Sequence, residues 1–314
     1  MTAPLVPAPQ LDTIPFAVLI DEAWKSTRAW ARTILLPAML LLAPGALAMQ
    51  VLAGFWNLSL LGNVQAARFD RFCGTFAIGI LGILVVAVYF VAVYGCVMVA
   101  AVRALGGESP SLRQCLRFYA RPRVWGTDLL AWLLTMLGFF ACIVPGLFLL
   151  GAWALRLPVM VREGRSGWDA LKRSWELLAH NPSGQLMRHP LLKVLLLFVL
   201  GAVLGYAISL VIQMPAVIVS QLMMVRGMSR GEAADPQAMV RATLWLTIPA
   251  GTLAALAQLA VQLYVDFATA HVYLDQVRRK EGADLGSALD RLLGETPPPV
   301  VPGQPGPPVV PGPA

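Results

Sequence analysis

WGTDLLAWLLTMLGFFACIVPGLFLLGAWALRLPVMV (125–161), with REGRSGWDALKRSW (162–175) directly behind it, decides the fold. Only Asp128 and Arg156 carry charge across the 37 positions from Trp125 to Val161. One unbroken helix of that length would run roughly 55 Å at about 1.5 Å per residue, against a bilayer hydrocarbon core of roughly 30 Å. The run must therefore turn back. Val144-Pro145-Gly146 supplies the predicted break, because Pro145 has no backbone donor, disfavours helix at Val144 and precedes the most permissive residue. Two short spans, 128–144 and 146–161, result. Arg103, Arg113, Arg117, Arg121 and Arg123 come before the pair, and Arg162, Arg165, Lys172 and Arg173 after it. Short cytoplasmic loops collect lysine and arginine, so both open ends of this hairpin are expected inside.

Outward from the hairpin, apolar runs predict spans at 34–55, 76–102, 191–214 and 243–270, with bends at Pro37, Pro44 and Pro215. Charged stripes opposite apolar ones at helical spacing predict amphipathic surface helices at 14–32, 110–121 and 167–180. Their order repeats a surface helix followed by two spans three times. The fold class is thus all-α, an integral membrane bundle of six transmembrane helices with three interfacial helices on the cytoplasmic side, spanning 13–293. Residues 1–12, with Pro4, Pro7 and Pro9 and no basic leader, are expected to be disordered. Residues 294–314, TPPPVVPGQPGPPVVPGPA with what precedes it, cannot build a core and are expected to be a solvated proline-rich tail. Eighteen of the 24 lysines and arginines fall on the side assigned as cytoplasmic and five on the other, with Arg156 inside a span. Both termini are accordingly expected in the cytoplasm.

Composition excludes other classes. The chain is 58% hydrophobic and 13% charged, where a soluble domain has roughly 25% charged residues. The +7 balance is spread over loops between apolar runs instead of forming a basic face, which argues for lipid headgroups and against nucleic acid. Cys73, Cys96, Cys115 and Cys142 have neither CxxC spacing nor histidines at ligand intervals, so no disulfide, metal or cofactor is expected.

Charges and amides inside spans need partners. Gln258, Gln262 and Asp266 follow each other at four-residue steps in span six, and Tyr206, Ser209 and Gln213 recur at helical spacing in span five. With Arg156 these seven form the candidate intramembrane site, in which the stripes face each other and Arg156 pairs with Asp266. Two readings stay open: a sealed hydrogen-bonded seam, or a polar cavity toward the cytoplasmic leaflet that takes a lipid headgroup or small anion on Arg156. His180, His189 and His271 have no zinc spacing and no nucleophile in an elbow-like context. Glu163 and Glu281 are expected to pair with nearby arginines.

Three stretches, IVPGLFLLGAWALRLPVMVREG (143–164), ALKRSWELL (170–178) and YLDQVRRKEGADL (273–285), carry a resemblance. Together they resemble the bacterial inner-membrane family named after the membrane domain of glycerophosphoryl diester phosphodiesterases, over 14–285. The resemblance implies a six-span domain of the bacterial inner membrane, found alone or joined to a catalytic barrel. No position matches the histidine-and-acid motif of that barrel, so phosphodiesterase activity is not expected. The expected function is that of a non-enzymatic scaffold or lipid-binding module in envelope or lipid homeostasis, with membrane lipids and other membrane proteins as partners. A transporter or permease subunit for a lipid or small anion is the alternative, and a membrane-embedded lipid-processing enzyme the third.

Overall fold

A computed structural model describes residues 14–65, 69–179, 189–229 and 236–294. Every regular element among them is helical, which makes the protein an all-α membrane bundle. The elements are α1 (Phe16–Trp30), a π-helical turn (Ala31–Leu35), α2 (Leu36–Gln65), α3 (Phe69–Leu105), α4 (Leu112–Tyr119) and α5 (Pro122–Ala141). There follow α6 (Ile143–Ala152), α7 (Arg156–Arg162), α8 (Trp168–Ala179), α9 (Pro190–Ser229) and α10 (Pro236–Gly294). Among the described residues, six segments are long and apolar enough to cross a membrane: Phe16–Trp56, Cys73–Leu105, Pro122–Ala141, Ile143–Arg162, Pro190–Met223 and Leu244–Lys280. The described residues up to Gln276 form one compact unit, and those from Val277 onward belong to a second. The expected disordered ends, 1–12 and 294–314, lie outside the described residues except for Gly294, the last residue of α10.

Large apolar side chains are exposed along most of the bundle, with Phe140 at 87% and Trp245 at 85%. Water would not tolerate so continuous an apolar surface, whereas hydrocarbon does. The core is one-sided. Many buried residues gather at Val97–Ala104 of α3, Leu155–Met160 at the start of α7, Ala170–Leu178 of α8 and Val265–Tyr273 of α10, where Arg162 Nη2 donates to the Val102 carbonyl and the Tyr273 hydroxyl meets Glu163 at the open end of the α5–α6 hairpin. Toward the hairpin tip the helices present Ile78, Val144, Val211 and Leu253 outward.

Several boundaries depart from the sequence reading. The hairpin turns at Cys142, whose φ of −173° and ψ of 156° are extended, and not at Pro145-Gly146. Pro145 falls in the first turn of α6, where a missing N–H has no helical partner to lose. Gly146 has a different duty, since a Cβ there would run into the Phe139 ring and hold α5 and α6 apart. The expected span 146–161 is itself interrupted at Trp153–Leu155, between α6 and α7.

Pro44 and Pro215, where bends are expected, and Pro249 each lie inside a continuous helix. Neighbouring helices can satisfy backbone groups that a proline frees within a membrane. Near Pro44, the Tyr89 hydroxyl of α3 donates to the Leu41 carbonyl of α2, and Gly45 leaves room for the Tyr89 ring. The expected surface helix 14–32 also has no break before span one, because α1 runs through the π-helical turn into α2. In α8 the buried face is Ala170, Leu171, Ser174, Leu177 and Leu178, so this helix packs into the bundle and leaves Trp168 exposed.

Candidate functional site

Four of the seven residues singled out by sequence converge on one groove. Tyr206, Ser209 and Gln213 from α9 meet Gln258 from α10, joined by Gln50 of α2 and Tyr94 of α3. The groove has a volume of about 470 Å³, within the roughly 300–1,000 Å³ of small-molecule sites. Helical spacing explains the convergence from α9, since steps of three and four residues keep side chains on one face. Close approach of the helices explains the rest. Glycine at 205 leaves room for the Gln258 amide, and glycine at 251 for the Gln50 amide, where a Cβ would collide with either. Among the described residues, neither amide has a side-chain hydrogen-bond partner.

The groove opens sideways: Tyr206 is 68% exposed, and Ala202 and Gln213 are exposed as well. Taking about 1.5 Å per residue, Gln258 stands about 22 Å and Gly251 about 33 Å along α10 from Tyr273. It therefore occupies the half of the bundle toward the hairpin tip.

Gln262 and Asp266 continue the α10 stripe away from the groove. Gln262 Nε2 donates to Asp266 Oδ1 at 2.8 Å, and Asp266 is 5% exposed. Its Oδ2 is buried with no hydrogen-bond partner among the described residues.

Arg156 is elsewhere. Its expected partner was Asp266; instead it holds Asp128, with Nη2 at 2.5 Å and Nε at 2.6 Å from Oδ1. The Tyr119 hydroxyl donates to the other carboxylate oxygen of Asp128, and Gly95 leaves space for the Tyr119 ring. Burial, reinforced by the Asp128 charge, pushes the Tyr119 phenol well above its usual value and keeps its proton in place. A signal for this pair was in the sequence. Asp128 and Arg156, the two charges of the hairpin, each stand 14 residues from Cys142, so a turn centred there sets them opposite each other.

Beside the pair, α8 closes the interruption between α6 and α7. Ser174 Oγ donates to the Ala152 carbonyl at 2.8 Å and accepts the Leu155 N–H at 3.2 Å. Arg156 Nη1 adds a bond to the Trp153 carbonyl at 3.0 Å. Thr127 Oγ1 accepts the Gly167 N–H at 2.6 Å, anchoring the 163–168 loop, in which Gly164 (φ 69°) and Gly167 (φ 65°) take left-handed conformations. Glu163 gathers Arg173 Nε at 3.0 Å, Arg165 Nε at 3.2 Å and the Tyr273 hydroxyl at 3.3 Å. The pairing expected of Glu163 is thus present, while Glu281 and His180 lie outside the residues whose side chains are described.

His271 Nε2 is 3.0 Å from Ser26 Oγ, linking α10 to α1, and His189 Nδ1 accepts the Leu191 N–H at 3.3 Å. All four cysteines are free thiols. Among the described residues no three metal-ligating side chains come together.

Gln50 and Tyr94 escaped sequence reading because each is a single polar residue in an apolar run, with no stripe to mark its face. The chain matches no model of a protein family, no curated protein and no solved structure, so the functional reading rests on its own residues.

Proposed function

We propose that the chain is a non-enzymatic, multi-pass protein of the bacterial inner membrane that binds a membrane lipid in the groove between α2, α3, α9 and α10. The observation that carries this reading is a cluster of amides and hydroxyls in a groove that opens sideways on a largely apolar surface. Amides and hydroxyls facing hydrocarbon have no water to bond and need a partner. An amphiphile supplies one: its polar head enters the groove, and its chains lie along exposed apolar side chains such as Val203 and Leu253.

The test uses the purified chain in nanodiscs of bacterial lipid extract, spiked with a lipid whose diazirine sits next to the ester linkage. Adducts are expected on the peptides holding Ser209–Gln213 and Gly251–Gln258, and loss of those adducts in Ala202→Trp, which fills the groove from an exposed position. Adducts spread evenly over the exposed faces of all six segments, unchanged by Ala202→Trp, would overturn the reading.

A further inference from the structure

The geometry points to a lipid with an uncharged head, rich in hydroxyl and ester carbonyl groups as in a diacylglycerol, as the occupant of the groove. This rests on the lipid-binding reading above and adds the chemical class. The polar lining consists of three amides, two phenols and one hydroxyl: Gln50, Gln213, Gln258, Tyr94, Tyr206 and Ser209. Among the described residues, no lysine, arginine or histidine lines it. Phosphate is ordinarily met by guanidinium or ammonium groups or by the N-terminus of a helix. The groove has none of these. Its four helices pass by it unbroken, so no free backbone N–H groups point into it.

The nearest titratable group on the same stripe is an acid, not a base. Asp266 stands two turns from Gln258 on α10 and carries a buried oxygen with no partner among the described residues. Arg156, the cation that could offset it, is bonded to Asp128. A phosphate entering here would give up its hydration, meet no cation and approach a carboxyl group. A hydroxyl or ester carbonyl carries no such penalty and finds donors and acceptors in glutamine amides, which offer both. The Gln50 and Gln258 amides stand where glycines 251 and 205 leave room for them.

Competition against the diazirine probe tests the class. Unlabelled dioleoylglycerol, dioleoyl phosphatidic acid and dioleoyl phosphatidylglycerol are titrated into the nanodiscs, and loss of adducts on the 251–258 peptide is followed. Dioleoylglycerol is expected to displace the probe at a mole fraction about tenfold or more below either anionic lipid, given the cost of an uncompensated charge at this depth. Equal or better displacement by the anionic lipids overturns the inference while leaving lipid binding intact. Absence of any groove adduct removes the lipid-binding reading itself. Ser209→Lys supplies the missing cation, and the order of competitors is expected to reverse toward phosphatidic acid; an unchanged order in a folded Ser209→Lys protein counts against the inference. Should that variant fail to fold, the competition on the unaltered chain decides alone.

Discussion

At the scale of single residues, the energetics turn on Asp128. Its side chain is 7% exposed and that of Arg156 is 21% exposed, so the pair is largely withdrawn from water. Such a pair adds little net stability over an apolar replacement, yet removing one partner strands the other. Asp128→Ala is therefore expected to cost about 3–5 kcal/mol, read from denaturant unfolding of the detergent-solubilised protein. The double variant Asp128→Leu with Arg156→Met is expected to recover most of that loss. If Asp128→Ala alone leaves the unfolding midpoint in place, the pair does not hold the hairpin. Sequence reading found both charges and gave Arg156 the wrong partner, because periodicity within one helix says nothing about which residue of another helix lies across from it. The turn position supplies that information, and it had been misplaced by three residues.

At the scale of elements, proline and glycine near the turn have separable effects. Proline was read as the breaker because its lost N–H disrupts a helix interior. In the first turn that N–H has no carbonyl to meet, so Pro145 begins α6 without strain. The turn belongs to Cys142, an extended residue with no local signature, which is why it was not legible. Pro145→Ala is expected to change stability by less than about 1 kcal/mol, since the residue starts a helix either way. Gly146→Leu is expected to cost about 1–3 kcal/mol, because its side chain must displace the Phe139 ring between α5 and α6. Thermal unfolding of the two variants in one detergent checks the order, and a larger loss for Pro145→Ala would return the break to the proline. Element type, by contrast, was plain throughout, since runs of twenty or more apolar residues have few alternatives.

At the scale of the whole molecule, a bundle packed firmly near one end and loosely near the other follows from where its polar residues lie. Between helices in lipid there is no hydrophobic drive, so hydrogen bonds, ion pairs and close fits decide what packs. The chain places Asp128, Arg156, Ser174, Glu163 and Arg173 near the open end of the hairpin, and the buried core collects around them. The same asymmetry predicts which side of the membrane each end faces. Cys142 sits at the hairpin tip and Cys73 near the start of α3, both exposed, while Cys96, further along α3, and Cys115, in α4, are buried. If the basic loops are cytoplasmic, a membrane-impermeant maleimide added to intact spheroplasts is expected to label Cys73 and Cys142 and to spare Cys96 and Cys115. Serine replacement of Cys73 and Cys142 should then abolish labelling, and inside-out vesicles should leave the same two thiols unlabelled until detergent is added. Labelling of Cys142 only from the cytoplasmic face would invert the hairpin, and with it the side from which a lipid enters the groove. The groove lies in the half toward Cys142, so this experiment also says which leaflet supplies its occupant.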